Sequence, residues 1–213
     1  MQQRKRCVEI KVNSQSSIKV ISDKIIYFDP YQIREEMHDA DIIFITHDHP
    51  DHFSIEDITK VEKEDTVYVI PDCMYNLLGG ENVITLNPYE KTEVEGYETV
   101  TLPSYNVRSG FHPKEKNYLG YIVTVEGKRI YVAGDCDRDD YNVKVRCDIA
   151  CVPIGGKFTM DIEDAAKLIN EIRPDTVIPT HYGSFVGGKD AGKRFKELVE
   201  KEIEVKLLLD ENG

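Results

Sequence analysis

A chain of 213 residues, 40% hydrophobic and 31% charged, is long enough for one substantial core and too apolar for bulk disorder. Its formal charge of −12 argues against a non-specific nucleic-acid surface, which depends on Lys and Arg neutralising phosphates, although bound divalent cations would still draw a polyanion to one point. No apolar run approaches the ~20 residues of a membrane helix, Glu9 and Lys11 interrupt any signal-peptide core behind Arg4-Lys5-Arg6, and five cysteines without a CxxC pair read as reduced thiols. The expectation is a single domain over residues 1–213, cytoplasmic and with no membrane partner.

In chain order, residues 7–12, 18–21 and 24–28 alternate as half-buried strands do and predict an antiparallel meander closed by Asp29-Pro30. A short helical turn is expected within 31–39, then a strand over 41–45. Ser54, with Asp57 three residues on, opens a helix to about Lys60. Residues 66–70 form a strand stopped by Pro71, and 73–78 a short helix ended by Gly79-Gly80. Weaker strands follow near 82–86 and 91–102. Residues 103–117 read as a loop, and 118–125 with 128–133 as a hairpin around Glu126-Gly127.

After a strand over 148–153, residues 161–173 place Ile162, Ala165, Ala166, Ile169 and Ile172 on one helical face, with Asp161 as N-cap and Pro174 as the stop. A strand over 176–179 leads into Thr180-His181, and a helix from about Asp190 to Lys201 precedes a last strand over 203–209. Strands thus come in two groups, each followed by helices. Two stacked sheets inside helices are expected rather than one parallel sheet.

The chemistry concentrates in Thr46-His47-Asp48-His49-Pro50-Asp51-His52, behind the apolar run Ile42-Ile43-Phe44-Ile45. Three of the chain's six histidines fall in these seven residues. Imidazole nitrogens and carboxylate oxygens are the ligands that suit zinc, iron or manganese. Extended residues two apart point the same way, so His47 and His49 can serve one ion, and Pro50 disfavours a helix at His49. Asp51 and His52 can serve a second ion from a tight turn. Two later strands also end abruptly in a polar residue: 130–134 delivers Asp135 and 177–180 delivers His181. Alone, each reads as a turn or loop residue; beside the cluster they read as ligands. Cys136, Cys147 and Cys151 read as small core residues, and His38 as a surface residue.

These segments resemble the metallo-β-lactamase superfamily: His47-x-His49-x-Asp51-His52 matches its HxHxDH signature, with Gly134-Asp135 and Thr180-His181-Tyr182 behind it. Pro153-Ile154-Gly155-Gly156, Phe158-Thr159-Met160-Asp161 and Ile178-Pro179-Thr180-His181-Tyr182 are similar to a lactonase-like branch that includes ascorbate-phosphate lactonase. The resemblance implies an α/β fold of the αββα four-layer type. It also implies two divalent cations, zinc first with manganese or iron as alternatives. His47 and His49 would bind the first, Asp51, His52 and His181 the second, and Asp135 would bridge them.

Relatives carry one more first-metal histidine; here Asn106 stands at the expected place, and His112 is the available replacement. A hydroxide held between the cations would be the nucleophile, with Asp51 orienting it or taking its proton. Tyr182, Asn106 and His112 are candidate donors to the substrate. Arg108, Lys114 and Lys116 could receive an anionic small molecule, though a solvated role is the plainer reading. The expected function is metal-dependent hydrolysis of a small ester, lactone or phosphodiester. The alternatives are a nuclease or phosphodiesterase on nucleic acid, disfavoured by the charge, a di-iron redox protein, and a non-catalytic metal-binding protein.

Overall fold

The computed structural model describes residues 8–209; Cys7, at the head of the first predicted strand, lies outside them. Strands β1 (Glu9–Val12), β2 (Ile18–Ile21), β3 (Ile25–Phe28), β4 (Ile42–Phe44), β5 (Val67–Pro71) and β6 (Val83–Leu86) form one sheet in sequence order. The first three pair antiparallel; β3 to β6 are parallel. The second sheet runs in sequence order from β7 (Lys91–Val94) through β8 (Tyr97–Pro103), β9 (Leu119–Val125), β10 (Lys128–Val132), β11 (Ile149–Pro153) and β12 (Thr176–Thr180) to β13 (Glu204–Val205). It repeats the plan, antiparallel through β10 and parallel from there on.

Alternation along each strand sorts the apolar residues into three core layers, because successive side chains leave opposite faces of a sheet. Ile26, Phe28, Ile42 and Phe44 face inward, where they meet Tyr121, Val123, Val132 and Ile178 of the other sheet. Phe28 and Phe44 stack with ring centroids 4.9 Å apart, and Tyr121 meets Phe44 edge-on at 5.0 Å. Tyr27, Ile43 and Ile45 face outward onto Ile58 and Val61 of helix α1 (Ile55–Val61). On the far side Tyr131, Ala150, Val152 and Val177 are covered by helices α2 (Ile162–Ile172) and α3 (Ala191–Leu198). The architecture is the expected αββα sandwich, and among the described residues no helix is long and apolar enough to cross a membrane.

The caps read from the sequence are present: the side chains of Ser54 and Asp161 accept from the amides of Asp57 and Asp164, satisfying amides that would otherwise lack partners. Elsewhere the elements differ. Residues 31–39 hold no helical turn, because the Asp57 carboxylate takes the amides of Gln32 and Ile33 at 2.9 and 2.8 Å and the Lys60 carbonyl takes those of Met37 and His38. The predicted helix over 73–78 is a single 3-10 turn, Asp72–Met74. The expected strand over 91–102 is a hairpin, turned at Glu95 and Gly96, which have φ of 50° and 91°. The last strand shrinks to Glu204–Val205, followed by a bridge from Leu209 to Val12.

Candidate metal centre

Parallel pairing brings strand ends together, and the crevice beyond the carboxyl ends of parallel strands is where α/β sheets place ligands. Phe28 is in register with Phe44, so Asp29 and Thr46 leave the first sheet side by side. Val132 pairs with Cys151 and Pro153 with Thr180, which carries Asp135 and His181 to the same edge. Gly134 turns the chain into Asp135 with φ of 66°, a conformation open to glycine; a Cβ there would lie 2.8 Å from the Ser104 hydroxyl. A Cβ on Gly155 would lie 2.5 Å from the His181 carbonyl, so the backbone after β11 must be bare for His181 to sit where it does.

The donors form two trios. His112 Nε2 lies 3.3 Å from His47 Nε2 and 3.1 Å from His49 Nδ1. Asp51 Oδ2 lies 3.2 Å from His181 Nε2 and 3.6 Å from His52 Nε2. Asp135 sits between them: Oδ1 is 3.3 Å from His52 Nε2, and Oδ2 is 3.1 Å from His181 Nε2 and 3.6 Å from His112 Nε2. His47, His49 and His112 converge as one group, and Asp51, His52 and His181 as another. Among the described residues, Asp135 Oδ1 and His52 Nε2 are fully buried and make no hydrogen bond, although they face each other. Buried polar atoms are rarely left so; both aim at a common point, as donors to a cation do. A set of nitrogen and carboxylate oxygen donors suits zinc, iron or manganese, so these residues could hold such an ion.

Behind the donors lies a layer that fixes their tautomers. Asp29, completely buried, accepts from the Thr46 amide at 2.7 Å, the Thr46 hydroxyl at 2.6 Å and His52 Nδ1 at 2.8 Å. The hydroxyl's proton is thereby committed, so it accepts from His47 Nδ1 at 2.9 Å, leaving His47 Nε2 unprotonated toward the centre. Asn106 Oδ1 receives His112 Nδ1 at 2.6 Å, and its amide donates to the Phe158 carbonyl at 2.9 Å. Asp48, the residue between the two histidines, is held by the Tyr118 hydroxyl. Such partners orient metal-binding imidazoles and raise their basicity.

Of the residues predicted for the site, the structure brings together His47, His49, Asp51, His52, Asp135, His181 and His112. Asn106 stands behind His112 rather than beside the other donors. Tyr182 is not at the cavity: it is buried in the outer core, with its phenol oxygen against Gly192 at the start of α3. The cause is backbone geometry, since His181 has φ of 56° and its neighbour turns to the opposite side. Arg108 pairs with Asp164 at 2.5 Å, and Lys114 lies 5.3 Å over the Tyr105 ring. Sequence reasoning passed over Asp29, although it follows the apolar strand 25–28 as abruptly as Asp135 follows 130–134. Cys136 and Cys151 are buried, and burial pushes the Cys136 thiol up to about 12; His38 is exposed.

The histidines of the two trios differ in how their surroundings shift them before any cation is bound. Burial drives His47 well below the usual histidine range and His112 down to about 4, so these two imidazoles of the first trio are neutral. Burial also opposes charge on His52 and His181, but Asp135 with Asp29 lifts His52 well above that range, and Asp135 with Asp51 lifts His181 to about 9. Burial likewise opposes charge on Asp135, yet His181 and His52 hold it well below the usual carboxylate range. At pH 7 the second trio carries protons that a cation must displace. Cation uptake is therefore expected to release about two protons at pH 7 and to weaken as pH falls below about 9. Calorimetry in buffers of different ionisation enthalpy measures this; uptake with no proton release would contradict the assignment.

A four-layer sandwich with histidine and aspartate donors at its parallel strand ends defines a hydrolase fold of the β-lactamase type, and residues 13–181 match the Beta-lactamase superfamily domain. The chain belongs to that superfamily. Within it, the chain is 31% identical over 204 residues to a UPF0173 metal-dependent hydrolase of Pyrococcus abyssi, covering 91% of this chain and 90% of that one; it is a member of this family of metal-dependent hydrolases. The crystal structure of a Parabacteroides distasonis protein superposes with a TM-score of 0.81 at 26% identity, covering 97% and 94% of the two chains. That of Igni18, a metallo hydrolase of Ignicoccus hospitalis, gives 0.78 at 24% identity, with 94% of each chain covered.

Proposed function

We propose that the two trios hold two divalent cations, zinc first, and that the centre hydrolyses a small ester, lactone or phosphodiester. The observation that supports this reading most directly is the placement of Asp135 between a trio of imidazoles, His47, His49 and His112, and a trio of Asp51, His52 and His181. Bound there, such cations supply Lewis acidity, which makes water more acidic and polarises a carbonyl or phosphoryl oxygen. Asp51 is the carboxylate donor with the more open side chain, lining the cavity at 19% exposure against 3% for Asp135. Although burial opposes its charge, the hydrogen bond from His181 and the charge of His52 keep its pKa low. It stays ionised at neutral pH and can orient the attacking water and accept its proton. Asn106 has both ends of its amide engaged, so it positions His112 and does not contact substrate.

The cavity over the centre is about 150 Å³ and opens between Phe111, Phe158 and Phe185. Phe111 and Phe158 meet edge to face at 4.6 Å, and Phe111 and Phe185 are 50% and 58% exposed. Among the described residues no Lys or Arg lines it. An aromatic lip without cations favours an uncharged ester or lactone with an apolar substituent; an anionic group on the substrate would be met by the cations themselves.

Metal analysis with a panel of esters, lactones and phosphodiesters tests the reading, for wild type and Asp51→Asn. About two metal ions per chain and a drop in kcat of on the order of 10²-fold or more in Asp51→Asn are expected. Full metal occupancy with no turnover across the panel would favour a binding protein. The two halves of the substituted ligand pair separate as well. His112→Ala should lower metal content to about one ion per chain, while Asn106→Ala should keep two ions and weaken the first by roughly 10- to 100-fold. Equal loss in both variants would contradict the roles given to the pair.

A further inference from the structure

A second cavity, of about 640 Å³, lies on the outer face of the second sheet, away from the cover of α2 and α3. Its floor is apolar: Val100 and Leu102 of β8 and Ile122 of β9 point outward here. Lys114, Arg129, Lys144 and Arg146 stand around it. In a chain of net charge −12, four cations at one opening are unexpected by composition. None of them forms an ion pair among the described residues, whereas neighbouring Lys128 and Arg138 are paired with Asp148, Asp175 and Glu171. Two acids share the rim. Asp139 is engaged by the Tyr105 hydroxyl and by the Asp140 amide at 2.7 Å, and Asp140 is exposed. The cations therefore outnumber the acids, and one of the acids is already committed.

The remaining walls are aromatic. Tyr105 and Tyr141 pack with ring centroids 5.0 Å apart, and Tyr89, 69% exposed, stands at the mouth. Flat rings over an apolar floor accept a planar group by stacking, and a cation cluster accepts phosphate or carboxylate. The volume falls within the range of small-molecule sites, roughly 300 to 1,000 Å³. We propose that this cavity binds a small organic anion with a planar ring, of the mononucleotide class, at a site separate from the metal centre. None of its lining residues belongs to the donor trios or to the layer behind them, so the inference does not depend on the hydrolase reading.

The test is calorimetric titration of the metal-loaded protein with adenosine 5′-monophosphate, adenosine and inorganic phosphate. The monophosphate should bind at least about fivefold more tightly than either fragment, since only it engages both rings and cations. Arg129→Gln combined with Arg146→Gln should weaken it by on the order of tenfold or more, with metal content and hydrolysis unchanged. Lys144→Ala, at an exposed position where folding is not at stake, should weaken it by about threefold. His112→Ala, which alters the metal centre, should leave it unchanged. The proposal is overturned if the monophosphate does not bind at millimolar concentration, if phosphate binds as tightly as the monophosphate, if the arginine and lysine variants bind normally, or if His112→Ala abolishes binding.

Discussion

Asp135→Asn is expected to lower hydrolysis on the order of 10³-fold and to reduce bound metal from about two ions per chain to one or fewer. Asp135 is the donor that faces both trios, with Oδ2 3.1 Å from His181 Nε2 and 3.6 Å from His112 Nε2. Asparagine fits the same space but supplies one oxygen where the carboxylate supplies two, and no charge. The sandwich itself should persist, because the core layers on either side do not involve this residue. Elemental analysis with kinetics on the same preparation decides the matter. A variant that keeps both ions and most of its rate would remove Asp135 from the centre.

The second large effect is expected one layer back. Asp29→Ala strips three donors of their acceptor, the Thr46 amide, the Thr46 hydroxyl and His52 Nδ1, all buried. Unpartnered groups of this kind cost about 1–3 kcal/mol each, and breaking a buried charge pair costs about 3–5 kcal/mol. Urea unfolding of the cation-free protein should show a loss of about 3–5 kcal/mol, with metal affinity lower by roughly 10- to 100-fold. Asp29→Asn should fall between, since its amide oxygen can still accept from Thr46 while its charge is gone. Wild-type stability and affinity in Asp29→Ala would show that His52 needs no such support.

The fold was legible where hydrophobic period and punctuation agree. The helix over 162–172 had a cap, an apolar face and a proline stop, and the hairpin at Glu126-Gly127 had its turn dipeptide. It was less legible where tertiary contacts override local preference. Residues 31–39 have the composition of a helical turn, but their amides are taken by Asp57 and Lys60 from α1, a partner distant in sequence. The centre divides the same way. Asp135 and His181 could be read because each ends an apolar strand. Asn106 and His112 could not be ranked, because a loop has no period from which direction follows. Asp29 carried the signal of a strand-end acid and was read as a turn, since Asp-Pro is also how strands commonly stop.

The origin of His112 has a consequence for how the site assembles. His47, His49, Asp51 and His52 follow one strand, and Asp135 and His181 end two others, so their spacing is inherited from sheets packed on three core layers. His112 alone is delivered by a long loop, steered by Asn106, and the trio it completes is the one with no carboxylate of its own. The second trio is thus rigid and has a carboxylate among its donors, the first compliant and built of imidazoles alone. On the proposed two-ion reading, the ions would meet sites of unequal stiffness, and the expected order of filling is stepwise: the sheet-borne position first, then the loop-borne one, with the loop from Ser104 to Lys116 setting the difference between the two affinities.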